Sequence, residues 1–145
     1  MIVFIPYDDR KGDKGWLQEP SFTEDPKTLQ ETWDSVRFIL FKQVNLVPEY
    51  SGPVIAACVH AGSHQLIKLA LRGILMKREA KDSGKDMGEI RGGGQFVINW
   101  NSRELCLFGK SDSFGEFGRE TARAAFLNWK ARNPSYADFQ LVIER

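Results

Sequence analysis

The chain contains very little cysteine and very little histidine. Only two cysteines and two histidines occur among its 145 residues. Cys58 and Cys106 each stand inside an apolar run, which is typical of buried free thiols in a reducing compartment and not of a secreted disulfide framework. We therefore expect a cytoplasmic protein.

Excess charge of either sign is also missing, and so are long apolar runs. The 20 lysines and arginines nearly balance the 19 aspartates and glutamates, so the chain lacks the basic excess of a nucleic-acid-binding protein. No apolar run approaches the length of a membrane span, and the opening "MIVFIP" has no basic leader. We expect a soluble monomer with no nucleic-acid or membrane partner, whose function depends on a local site.

The remaining composition is that of one ordinary globular domain. Apolar alternation predicts short strands, and apolar residues at helical spacing predict one helix after His60 and another over "RETARAAFLNWKAR". The order ββ(β)αββαβ indicates an α+β domain in which a mixed sheet of about six strands packs with two main helices. We divide it into residues 1–34, an N-terminal strand with a polar loop or lid, and residues 35–145, the principal part of the domain.

Both histidines lie in the stretch "CVHAGSHQLIKLALRGIL". An apolar strand leads to His60, Ser63 is a suitable N-cap, and His64 falls in the first turn of the predicted helix. Zinc binds thiolate and imidazole groups, so one interpretation is a metal cluster of Cys58, His60 and His64, with Cys106 as the remaining cysteine. The plainer interpretation is that the histidines lie at the surface or cap the helix.

A second candidate site is an anion pocket made from "RGGGQ" and "GKSDSFG". Successive glycines permit backbone conformations in which amide groups converge on an anion, and they equally suit a flexible connection. Ser111 and Ser113 stand shortly before the second predicted helix, where they could flank an anion or cap the helix. Arg37 is a cation in an otherwise apolar strand pattern, and it would either point at these loops or snorkel at a sheet edge.

These glycine and serine segments belong to a longer pattern. The stretches "GGGQFVINWNSRELCLFGKSDSFG" and "WKARNPSYADFQL" contain a triple glycine, a strand-turn-strand unit, a serine loop between two Phe-Gly pairs, a helix, and P-x-Y before the last strand. Over about residues 35–145 this pattern resembles the Janus/Ocnus family, whose best-known member type is the protein histidine phosphatase. The resemblance implies that fold and a metal-independent, cofactor-free hydrolysis of the N–P bond of phosphohistidine in proteins or peptides.

The resemblance also assigns roles to residues. The stretch "SHQLI" resembles the one that carries the family's catalytic histidine, which makes His64 the nucleophile or general base. Phosphate contacts are then expected from Arg37, His60, Gly94, Gln95, Ser111, Asp112 and Ser113. Gln95 stands where the family has an arginine, and His60 would replace that cation when protonated.

Two other functions fit the same residues. A non-catalytic module that binds phosphate or a phosphoprotein would keep the pocket without turnover, and the neutral Gln95 favours this alternative. An α+β RNA-binding domain would use the aromatic residues near the glycines, but the balanced net charge argues against it. The histidine phosphatase is the hypothesis that the sequence supports best.

Overall fold

A computed structural model describes residues 1–8, 22–29, 36–43, 52–60, 63–79 and 89–144 of the chain. Its strands are β1 (Ile2–Asp8), β2 (Val36–Phe41), β3 (Val54–His60), β4 (Ile90–Asn99), β5 (Glu104–Phe108) and β6 (Gln140–Ile143). Its helices are α1 (His64–Glu79) and α2 (Arg119–Arg132), and 3₁₀ turns occupy Pro26–Leu29 and Pro134–Tyr136.

The described strands form one mixed sheet in the order β1-β3-β2-β4-β5-β6. The outer pairs, β1 with β3 and β5 with β6, are parallel, whereas the inner pairs are antiparallel. With its two helices the molecule is a single small α+β domain, so the predicted fold class is confirmed. The predicted hairpin is confirmed as β4 and β5, which are joined by a turn at residues 100–103.

Strand alternation gives the sheet two different faces, and each face carries one helix. Along β2, Phe38 and Leu40 belong to the core beneath α2, while Ile39 and Phe41 belong to the core beneath α1. The helix α1 packs on β1, β2 and β3, and its apolar residues at helical spacing complete that core: Ile67, Ala70, Leu71 and Ile74. By the same alternation, Arg37 lies on the α1 face.

The triple glycine lies inside β4 and not in a loop. A Cβ on Gly92 would collide with the carbonyl oxygen of Glu116, and the φ of +95° at this residue itself favours glycine. A Cβ on Gly94 would come within 2.6 Å of the carbonyl oxygen of Phe108 and 3.2 Å of the Phe117 ring. The glycines therefore allow close packing of other segments against the strand, and the interpretation as a flexible connection is wrong.

The described part of the predicted lid, residues 22–29, contacts α2. The indole Nε1 of Trp129 donates a hydrogen bond to the carbonyl oxygen of Glu24 at 2.8 Å. This contact lies on the face of the sheet opposite to α1. The rest of the predicted lid, residues 9–21 and 30–34, falls outside the described residues.

Candidate active site

His64 is the first residue of α1 and is turned towards β4. It is only 6% exposed, and its Nε2 lies 2.9 Å from the carbonyl oxygen of Gly94. A carbonyl oxygen can only accept a hydrogen bond, so Nε2 carries the hydrogen. In the neutral ring the lone pair is then on Nδ1, which is the nitrogen able to attack an electrophile or accept a proton.

The imidazole ring and the serine segment meet at Gly93. A Cβ on this glycine would lie 3.0 Å from Cδ2 of His64, 3.2 Å from Cβ of Ser111 and 2.7 Å from the carbonyl oxygen of Phe38. Because each of the two side chains lies about 3 Å from one point, they are within about 6 Å of each other. Sequence reasoning named Gly94 and missed Gly93, since only the register of β4 shows which glycine meets both groups.

The serine loop, residues 111–115, is fixed by its own hydrogen bonds. Ser111 is 2% exposed, and its backbone exchanges two hydrogen bonds with Gly115. Its Oγ accepts hydrogen bonds from the amides of Ser113 and Phe114, at 3.2 and 3.0 Å. The amide of Gly93 donates to the carbonyl oxygen of Gly115. Ser111 thus organises a loop that is tied directly to β4 beside His64.

Neither serine of this loop caps α2. The helix starts at Arg119, its N-cap is Gly118, and no side chain bonds to that cap. The predicted serine cap is wrong because Gly118, and not a serine of the loop, occupies the N-cap position of α2. The N-terminus of α2 therefore does not begin at the serines, where an anion would be held.

One amide of the triple glycine is already used within the fold, and the anion nest expected there stays a prediction. The amide of Gly93 is already bonded to Gly115, and Gly94 presents its carbonyl oxygen to the imidazole of His64. Within the described ranges, the amide of Asp112 meets no acceptor, and this residue is exposed. The carbonyl oxygen of Gly94 therefore orients His64, and the serine loop offers a ligand the backbone amide of Asp112.

Arg37 lies on the same face of the sheet as α1. It pairs in register with Gln95 of β4, and both side chains are half-buried. Its positive charge acts on His64, which places Arg37 among the groups that determine the electrostatics of the site. Since β2 is a central strand, the interpretation of Arg37 as a cation snorkelling at a sheet edge is wrong.

The imidazole of His64 is held in its neutral form. Burial lowers the pKa of His64 below its ordinary value of 6.5, and the hydrogen bond to Gly94 opposes that shift. The positive charge of Arg37 lowers the pKa further, while the negative charge of Asp112 raises it. Near pH 7 the ring is therefore neutral and keeps the lone pair on Nδ1.

Among the residues that the structure describes, no three His, Cys, Asp or Glu side chains are grouped so that they could hold a metal ion. Cys58 is buried in the core beneath α1. His60 ends β3, and its side chain lies outside the described part of the molecule, so its predicted phosphate contact stays a prediction. Across the same ranges, neither helix is long and apolar enough to cross a membrane.

Comparison with known proteins assigns the chain to no family. No family model matches it, and no curated protein matches it in sequence. The likeness to the Janus/Ocnus family therefore rests on the motifs themselves and stays a prediction.

Proposed function

We propose that this protein is a cytoplasmic, metal-independent phosphohistidine phosphatase that hydrolyses the N–P bond of phosphohistidine in proteins or peptides. The observation that carries the proposal is the buried His64, whose Nε2 donates to Gly94 and whose Nδ1 keeps its lone pair. An imidazole in this tautomer suits attack on phosphorus or removal of a proton from water. The same residue is the one that the motif resemblance marks as catalytic.

Both chemical routes open to His64 use the same nitrogen. In the nucleophilic route, Nδ1 attacks the phosphorus while the substrate's N–P bond breaks, and the departing imidazole nitrogen takes a proton from solvent. Water then hydrolyses the phosphorylated His64 and releases inorganic phosphate. In the general-base route, Nδ1 removes a proton from a water molecule that attacks phosphorus directly. The N–P bond breaks as the new O–P bond forms, and the proton is passed to the departing nitrogen of the substrate imidazole. The hydrogen bond to Gly94 keeps the reactive tautomer in either case.

Arg37 and the serine loop supply the polar surroundings of the phosphoryl group. The guanidinium of Arg37 offers charge-assisted hydrogen bonds to phosphate oxygens. The amide of Asp112 is a further donor beside Ser111, and Gln95 adds a neutral side-chain amide. Positioned donors of this kind stabilise the negative charge that spreads over the phosphoryl oxygens in the transition state.

The test is phosphate release from a phosphohistidine peptide, with and without a metal chelator. We expect chelator-resistant release by the unaltered protein and a loss of at least about a hundredfold in His64→Ala, because the attacking or proton-accepting nitrogen is gone. Leu69→Gln is the matched control, since it changes a residue of the same helix that is 59% exposed. Circular dichroism confirms that both variants keep the fold.

The possible outcomes separate the enzyme from its main alternative. Full activity of His64→Ala would remove His64 from the mechanism, and release that a chelator stops would contradict metal independence. The second candidate function is the non-catalytic phosphoprotein-binding module, which is favoured by the neutral Gln95 beside Arg37. Binding of a phosphohistidine analogue by the unaltered protein, without release from the true substrate, would favour that module.

A further inference from the structure

Asp112 is an exposed acid that the fold holds next to the candidate active site. It directly follows Ser111, whose Cβ lies within about 6 Å of the His64 ring. The backbone on both sides of Asp112 is tied down by the paired hydrogen bonds between Ser111 and Gly115. The amide of Ser113 is bonded as well, to the Oγ of Ser111. The carboxylate therefore projects from a fixed position on the rim of the site.

Some surface acids of the described chain have cationic partners, whereas Asp112 has no ion-pair partner among the described residues. Glu24 pairs with Arg132 at 2.8 Å, and Asp138 pairs with Arg103 at 2.8 Å. No arginine or lysine of the described ranges forms an ion pair with Asp112. Its negative charge is therefore available to a ligand.

Lys110 stands two residues before Asp112 but lies on another flank of the segment. It lines a cavity of about 240 Å³ together with Gly109, Glu116 and Phe117. Phe117 belongs to the core beneath α2, so this cavity is associated with the opposite face of the sheet from α1. Lys110 forms no ion pair with Asp112 in the described structure.

An uncompensated carboxylate beside a phosphoryl site distinguishes between substrates by charge. The phosphoryl group is negative, so Arg37 attracts it and Asp112 repels it. A cation next to the phosphorylated residue would lie close to Asp112 and turn that repulsion into attraction, whereas an acidic neighbour would add to the repulsion. The arrangement thus disfavours an isolated anion and favours an anion that has a cation at its side.

We propose that Asp112 selects phosphohistidine segments that carry a lysine or arginine next to the phosphorylated residue. This inference rests on the proposed function and names the substrate class of the same site. Selection acts through charge and not through a shaped pocket, because Asp112 is exposed. The preference should therefore weaken as the salt concentration rises.

The experiment compares three phosphohistidine peptides that differ only in the flanking residue, which is Lys, Gln or Glu. At low ionic strength we expect the unaltered protein to prefer the Lys peptide over the Glu peptide by roughly fivefold in kcat/KM, mainly through KM. Asp112→Asn should bring this ratio close to one. Glu120→Gln, which removes an exposed acid in the first turn of α2 on the other face of the sheet, should leave the ratio unchanged.

Each outcome decides either the inference or the function. Equal kcat/KM values for the Lys and Glu peptides, or a preference that survives in Asp112→Asn, would overturn the inference while the phosphatase activity stands. Absence of release from all three peptides would overturn the proposed function instead. In that case the same peptides with a non-hydrolysable phosphohistidine analogue are compared by calorimetry. A tighter Kd for the Lys peptide that Asp112→Asn abolishes supports the inference, and equal Kd values overturn it.

Discussion

The two faces of the sheet bury different kinds of side chain. Beneath α2, aromatic rings fill the core: Trp129 stacks on Tyr136 at 5.3 Å between ring centroids, and Phe139 meets both rings edge to face. His64 and Ser111 are the two buried polar residues of the described chain, and they meet across Gly93 at the start of α1. Burying polar groups stabilises a fold less than packing apolar ones. We infer that one face maintains stability while the other tolerates a polar cluster that can perform chemistry.

The largest expected effect is a loss of stability from a substitution in the aromatic core beneath α2. Trp129→Ala should lower the free energy of unfolding by about 3–5 kcal/mol, because the indole is 1% exposed and also loses its hydrogen bond to Glu24. Denaturant titration measures this change. The kcat of the folded fraction should stay near that of the unaltered protein, and a large loss of kcat at full stability would contradict the division.

Adding a single methyl group on the polar face should reduce kcat strongly and stability only moderately. Gly93→Ala places a Cβ 3.0 Å from the His64 ring and 2.7 Å from a carbonyl oxygen, so the imidazole must shift away from its partner. We expect kcat for phosphate release to fall by about ten- to a hundredfold, with a loss of stability of about 1–3 kcal/mol.

Gly118→Ala is the control for that change, because a Cβ there meets its nearest atom at 3.6 Å, which is ordinary contact. Steady-state kinetics and thermal unfolding of both variants give the two quantities. Equal effects of the two substitutions on kcat would show that the close approach at Gly93 has no part in positioning His64.

The smallest expected effect is a pH dependence of stability that belongs to the polar face alone. The pKa of His64 is lower in the folded protein than in the unfolded chain, so the unfolded state binds the proton more readily. The resulting stability is fully present above about pH 6.5 and is lost as the pH falls through the folded pKa. His64→Gln should flatten this part of the stability profile. Identical profiles for the two proteins would show that burial of His64 is not linked to protonation.

Local sequence signals predict the helices and strands of the fold, but they do not predict which distant segments pack closely against each other. Apolar periodicity and turn residues predicted both helices and the β4–β5 hairpin, because those signals lie within about ten residues of each other. The flexible connection expected at the triple glycine is wrong, because nothing next to it in sequence reveals that the serine loop packs on its backbone. The reason for those glycines is a contact with residues about twenty positions away.

The candidate site was predicted in part for the same reason. The start of α1 identified His64, since a strand, Ser63 and an amphipathic pattern mark a helix N-terminus. Its tautomer depends on Gly94, 30 residues away. Asp112 lies beside His64 only because the serine loop packs against β4. The sequence thus indicates which residues could react, and the register of the strands decides which of them meet.

The parallel pairing at both ends of the sheet also affects how the protein folds. Ile2 of β1 pairs with Ile55 of β3, so this pairing closes a long stretch of chain, whereas the β4–β5 hairpin closes only a few residues. Loop-closure entropy and contact order make local pairs form faster than distant ones. The hairpin is therefore expected to form early, with the glycines of β4 already in place. The attachment of β1 follows, so that the rate of folding depends on an edge strand that β3 and β2 separate from the glycines of β4.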